Sequence, residues 1–418
     1  MIEALRVQED RLLADLENLA GIGATPEGGV HRPALSAADL EARHWLMARA
    51  AEAGLETYID GAGNVSAVLR SGVADARTVL CGSHLDSVPQ GGRFDGALGV
   101  VAALEALRVI KEAGINLPHH LEAISFTDEE GTWGGLLGSR ALAGQLTPDD
   151  LDNPRGDRHA FEETLRAAGL SKKGALQARR APESIHAWVE THVEQGLRLE
   201  EAGVPIGVVT GIVGIASYWL TFIGRADHAG TTPLDRRLDA LRGLAEFVRQ
   251  SRELVTNRFP HGVYNCGIVE VLPGAFNIVP ERVRVALEFR HIDPGKLEAM
   301  REALLGLALH VVEVEGLGLE VEAKGIQEPA PTSRDVINAI EAACGTLGLR
   351  YLEMPSYAGH DTQVMATITR AGMFFVPSVG GASHNPREFT RPEDCVHAGN
   401  VLLHTVLRLA GVTDSTPK

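Results

Sequence analysis

The chain has 418 residues, a formal net charge of -16, 44% hydrophobic residues and four cysteines. The acidic balance argues against a nucleic-acid partner, no apolar run approaches a membrane span, and no CxxC pair or G-x-G-x-x-G loop suggests a disulfide framework or a nucleotide cofactor. The length exceeds what one core usually spans, so at least two domains are expected.

In chain order, residues 2–19 read as an acidic amphipathic helix without the unbroken apolar core of a signal peptide. With Cys81, Cys266, Cys344 and Cys395 widely spaced, this fits a cytoplasmic, reduced protein. The short apolar run 78–81 predicts a strand, and His84 and Asp86 follow it in GSHLDSVPQGGRFDG. In extended chain these two share a face, so Asp86 is placed to hold the ring nitrogen of His84 that faces away from a metal. Asp95 follows the Gly91–Gly92 turn and precedes a helix marked by Val100, Leu104 and Leu107. A carboxylate there can bridge two ions, or it can simply cap the helix.

The next apolar run, LEAISFTDEE, ends on Glu129 and Glu130. One can bind metal while its neighbour serves as general base; the plainer alternative is an idle acidic loop. Further along, WVETHVEQG places His192 in a polar loop or helix start after residues 185–188. GGASHNPREF places His384 after the apolar run 373–376. Imidazoles and carboxylates in this combination suit zinc or a similar divalent first-row metal.

Between these two histidines the pattern changes. Strand 217–223, helix 234–255, strand 263–271, strand 283–291, helix 297–311 and strand 317–323 give a βαββαβ order, the ferredoxin-like pattern. The rest alternates helix and strand, so the expected fold class is α/β. A di-metal catalytic domain with a mostly parallel sheet (1–210 and 326–418) carries an inserted lid or dimerisation domain (211–325). Hinges are expected at 203–211 and 325–331.

The residues resemble the hydantoinase/carbamoylase amidases of the M20 metallopeptidase-like superfamily, which include N-carbamoyl-L-amino acid hydrolases, β-ureidopropionases and allantoate amidohydrolases. The likeness spans nearly the whole chain, in order: GSHLDSVPQGGRFDG, FTDEEG, HVEQG, ADHAGTTPLDRRLDAL, PGAFNIVPERVRVALEFRHID, AGHDTQVMA and FVPSVGGASHNPREF. It implies His84, Asp95, Glu130, His192 and His384 as ligands of two divalent ions, zinc first and manganese, cobalt or nickel as alternatives, with Asp95 bridging. It also implies Glu129 as general base and Asp86 as the carboxylate orienting His84. Gln195, His228, Asn277, Arg290 and Gly359 are the implied substrate contacts, with His228 reaching the site of the partner in a homodimer.

For Arg290 the pattern agrees, because Val283, Val285, Leu287 and Phe289 alternate and leave Arg290 on the other face. Without the resemblance it would read as a surface arginine. The implied substrate is a small carboxylate, foremost an N-carbamoyl-L-amino acid. Allantoate or ureidopropionate, an aminoacylase or dipeptidase activity, and a binding protein on the same fold are the alternatives. Two departures bear on the substrate. Where the family reads Glu-Glu-Gly and then Ser/Ala-Arg-Phe, this chain has a shorter run through Trp133, and Tyr357 replaces a small residue.

Overall fold

A computed structural model describes residues 2–412. It separates into two units: one formed by the chain up to Thr210 and from Pro331 onward, the other by Gly211–Ala330.

The first unit is built on a mixed sheet. Its centre is four parallel strands in the order His120–Phe126, Thr78–His84, Ile185–Val193 and Ala371–Val376. These strands are buried along nearly their whole length because both faces are covered. Antiparallel strands flank the centre: Val65–Leu69 and Glu56–Ile59 on one side, Ile206–Ile212 on the other. The helix Ala97–Glu112 is buried over all but its last two residues, and it packs with Pro392–Leu409 and Arg334–Leu347 in one continuous apolar core. Its starting residue is Gly96, with no side-chain cap, so Asp95 is not spent as a helix cap.

Gly82 shows how tightly the central strands meet. Its φ is +144°, a conformation that favours glycine, and an added Cβ would overlap the carbonyl oxygen of Ile124 on the next strand. Gly82→Ala is therefore expected to cost about 1–3 kcal/mol by forced backbone movement, measured as a shift in urea unfolding. An unchanged midpoint would contradict the close approach.

The second unit is a four-stranded antiparallel sheet in the order Gly318–Gln327, Gly214–Ile223, Arg282–His291, Val263–Leu272. The helices Ala240–Arg258 and Pro294–Glu315 share its apolar core. The βαββαβ order is present, with the first helix shorter than the periodicity suggested and the other elements longer. Leu234–Arg236 forms only a 3-10 turn, and the helix expected from 234 starts at Ala240, where Asp239 caps it. Both expected hinges contain strand: Ile206–Ile212 occupies most of 203–211, and the last strand runs through Gly325 to Gln327. Gly207, Gly211 and Gly325 sit in these strands, so glycine alone does not mark a hinge.

Candidate metal centre

Parallel strands end on the same side of a sheet, and ligands of open α/β folds gather outside those carboxyl ends. Four adjacent strand ends do so here. His84 closes Thr78–His84, and Glu129 and Glu130 follow His120–Phe126. His192 is the penultimate residue of Ile185–Val193, and His384 lies beyond Ala371–Val376. His192 thus sits in a buried strand, not in the polar loop expected from its neighbours. The polar residues of WVETHVEQG misled because Glu190 and Thr191 are fully buried with it.

The two buried imidazoles are oriented alike. Nδ1 of His84 bonds the backbone oxygen of Asp86 at 3.0 Å, and Nδ1 of His192 bonds that of Val193 at 2.9 Å. A carbonyl partner requires the proton on Nδ1, which leaves Nε2 as the unprotonated ligand atom; on His192 it accepts the Gly96 N–H at 3.2 Å. Those Nε2 atoms face Oδ1 of Asp95 at 3.6 and 3.0 Å. On the other side of Asp95, Nε2 of His384 lies 3.4 Å from Oδ2 and 3.5 Å from Oε2 of Glu130. Two groups result, His84–Asp95–His192 and Asp95–Glu130–His384, each with ligand atoms within 4.8 Å of one another. Asp95 belongs to both.

The role of Asp86 differs in detail from the expectation. It is the backbone carbonyl of Asp86 that holds His84, while its carboxylate lies 3.9 Å from the ring. That carboxylate accepts the N–H groups of Glu129 at 3.3 Å and Glu130 at 3.2 Å. A buried acceptor thus fixes the backbone of both glutamates, a contact between strand ends that spacing within one strand does not reveal. Asp128, with φ +58°, folds the departing loop by accepting from Trp133 and Gly134 at 3.1 and 2.7 Å. Trp133 is anchored through Nε1 to the oxygen of Ala34 and packs on Phe161.

Negative charge accumulates in this buried space. Burial, then the neighbouring Glu130, Asp361, Asp86 and Asp95, push Glu129 well above the ordinary carboxylate range. Burial and Asp95 push Glu130 up to about 10, and burial with Asp39 raises Asp86 to about 7. For Asp95 burial acts upward too, but the imidazoles of His192, His84 and His384 outweigh it and hold the carboxyl far below its usual value. Oε1 of Glu130 is buried with no hydrogen-bond partner. Clustered carboxylates, three convergent imidazoles and an orphaned carboxylate oxygen are the chemistry of a divalent-cation site, and these residues fit a pair of such ions.

The expected substrate contacts divide between the units. In the first, Gln195 donates from Nε2 to Oδ2 of Asp95 at 3.0 Å, so it touches the residue common to both candidate ligand groups. A cavity of about 340 Å3 beside it is lined by Leu197, Arg198, Met354, Tyr357, Ala358 and Phe375 among others, and Gly359 follows Ala358. Arg198 lies over the Tyr357 ring at 5.2 Å.

In the second unit, His228 and Asn277 are drawn together by a bridge between His228 and Ile278 and by the Ala229 N–H to the Asn277 oxygen at 2.9 Å. The expected alternation is present around Arg290, with Val283, Val285, Leu287 and Phe289 buried. Arg290 pairs with Glu288 at 2.7 Å, a partner two residues back that the apolar pattern does not disclose. Sequence reasoning also passed over Glu190, whose carboxylate accepts from Ser83 Oγ at 2.7 Å and from Thr362 N at 3.0 Å. A lone acid two residues before His192 in an apolar strand was its only signal.

Comparison with known proteins adds independent findings. A profile of peptidase family M20/M25/M40 matches residues 80–408. The chain is 39% identical to an N-carbamoyl-L-amino acid amidohydrolase of Geobacillus stearothermophilus, over 97% of this chain and 99% of that one. It is 33% identical to an allantoate amidohydrolase of Escherichia coli (strain K12), over 94% and 96%. Its structure is similar to that of a hydantoinase/carbamoylase-family amidase from Burkholderia multivorans, with a TM-score of 0.90, 35% identity and coverage of 97% and 99%.

Proposed function

We propose, from the premise that this chain belongs to the hydantoinase/carbamoylase amidases of peptidase family M20, that it hydrolyses N-carbamoyl-L-amino acids. The products are the amino acid, ammonia and carbon dioxide. The chain is a hydrolase of C–N amide bonds in small carbamoyl or ureido compounds. The observation that carries the reading is the sharing of Asp95 between two ligand groups, with Glu129 beside them at 3.7 Å from Nε2 of His84.

His84, Asp95 and His192 would hold one ion and Asp95, Glu130 and His384 the other, with zinc the first candidate and manganese, cobalt or nickel the others. Such ions, when bound, polarise a carbonyl oxygen and lower the pKa of water. Glu129 Oε2 takes the proton of the attacking water and returns it to the departing nitrogen. Asp86 holds the Glu129 backbone so that this carboxylate stays aimed, and Gln195 restrains Asp95. Arg290 and Asn277 grip the substrate carboxylate, Arg290 exchanging Glu288 for the ligand through paired hydrogen bonds. The backbone at Gly359 adds a further contact, and His228 polarises the carbamoyl carbonyl. In this reading 211–325 is the lid and dimerisation domain, and 1–210 with 326–418 is the catalytic domain.

We further propose a homodimer in which His228 serves the partner's site. Exposed Ile268 and Leu272, in phase on the edge strand Val263–Leu272, support a contact there. Co-expressing His228→Ala and Glu129→Gln chains is expected to restore about a quarter of wild-type sites, since half the dimers are mixed and each mixed dimer has one complete site. No recovery would remove the shared histidine. Among the described residues no helix is long and apolar enough to cross a membrane, and Cys81, Cys266, Cys344 and Cys395 are free, in keeping with the cytoplasmic location we propose.

The substrate is tested by ammonia release from enzyme loaded separately with zinc or manganese. The panel holds N-carbamoyl-L-amino acids, ureidopropionate, allantoate and an N-acetyl amino acid. Fastest turnover on the N-carbamoyl compounds is expected. Acetate from the control without ammonia elsewhere would move the chain to the aminoacylases.

A further inference from the structure

The segment that delivers Asp95 runs between a strand end and a helix, so its backbone N–H groups must find partners outside regular structure. Two of them, from Phe94 and Asp95, donate to the same oxygen, Oε1 of Glu388, at 3.0 and 2.9 Å. The other oxygen, Oε2, lies 3.2 Å from Oγ of Ser383, the residue before His384. That hydroxyl is also 3.3 Å from Oδ2 of Asp95. One carboxylate, 2% exposed, therefore joins the loop of the shared ligand to the loop of a ligand 289 positions away (95 to 384). Gly92 leaves the room for it: a Cβ there would overlap the Glu388 carboxylate.

A neutral acceptor would satisfy two amides at less cost than a buried charge. Among the described residues Glu388 has no ion-pair partner; burial and then Asp95 push its carboxyl up, while the Phe94 and Asp95 amides and His192 act the other way. Its charge is out of place in the bare protein and well placed beside two cations. We infer that Glu388 is a positioning residue that ties the Asp95 and His384 loops together, its negative charge being compensated when the metals bind. This inference rests on the di-metal reading of the site.

The test is chelator-competition titration of zinc against purified wild type, Glu388→Ala, Glu388→Gln and Gly92→Ala, with calorimetric melting of each metal-free protein. Loss of an outer partner of metal ligands typically weakens affinity about 10–100-fold, and Glu388→Ala and Gly92→Ala are expected in that range. Glu388→Gln keeps an oxygen for both amides but no charge. It should melt within a few degrees of wild type without metal and still bind zinc more weakly. Lower melting with zinc affinity within twofold of wild type in every folded variant would reduce Glu388 to a structural tie and overturn the inference. Should Glu388→Ala fail to fold, the glutamine and Gly92 variants decide. Wild type without affinity for zinc, manganese, cobalt or nickel would overturn the di-metal reading itself, a separate result.

Discussion

Glu129→Gln is expected to keep its metal and lose its turnover, with kcat down about 10²–10⁴-fold, the usual contribution of a general acid–base group. The side chain keeps its volume, its backbone N–H still donates to Asp86, and it belongs to neither ligand group. What disappears is a carboxylate able to take a proton and give it back. Burial and the surrounding carboxylates favour its protonated form in the bare protein. Cations beside it would draw that value down toward the range where a base works near neutral pH. Metal content by mass spectrometry and single-turnover kinetics separate the two effects. Wild-type activity at equal metal content would remove Glu129 from the mechanism, and loss of metal together with activity would make it a ligand instead.

Asp95→Ala is expected to empty both positions at once. Each group loses its shared carboxylate, and the imidazoles of His84 and His192 then face no anion at their ligand atoms from that side. Metal stoichiometry should fall from about two per chain toward zero, and turnover should fall to background. His384→Ala supplies the contrast. That ring is half exposed and belongs to one group only, so the variant is expected to retain the ion held by His84, Asp95 and His192. Full retention of one ion in Asp95→Ala would refute the sharing that the geometry suggests.

Ligand chemistry was legible in the sequence because it is local. His84 and the Glu129–Glu130 pair follow apolar runs within a few residues, Asp95 stands between a glycine turn and an apolar helix, and strand and turn signals operate over that distance. The same holds for 282–291, where strict alternation marked Arg290's face correctly. Environment was harder to read. His192 was assigned to a loop from its polar neighbours, although Glu190 and Thr191 are buried, Glu190 against Ser83 and Thr362 from elsewhere in the chain. Polar residues report exposure only when no distant partner satisfies them.

By itself, then, the sequence offered the side chains that could carry the chemistry, through residue type, spacing and resemblance to a known family, and it marked most strands and helices through short-range periodicity. Tertiary structure decided that four strand ends lie side by side, because parallel pairing depends on crossover connections and strand order rather than on any one strand. That order places Asp95 in both candidate ligand groups, sends the Asp86 carboxylate to the backbone of Glu129 and Glu130, and brings Glu388 beneath Asp95. None of these contacts has a spacing signature, since each joins residues tens to hundreds of positions apart through hydrogen bonds that only the packed chain can form.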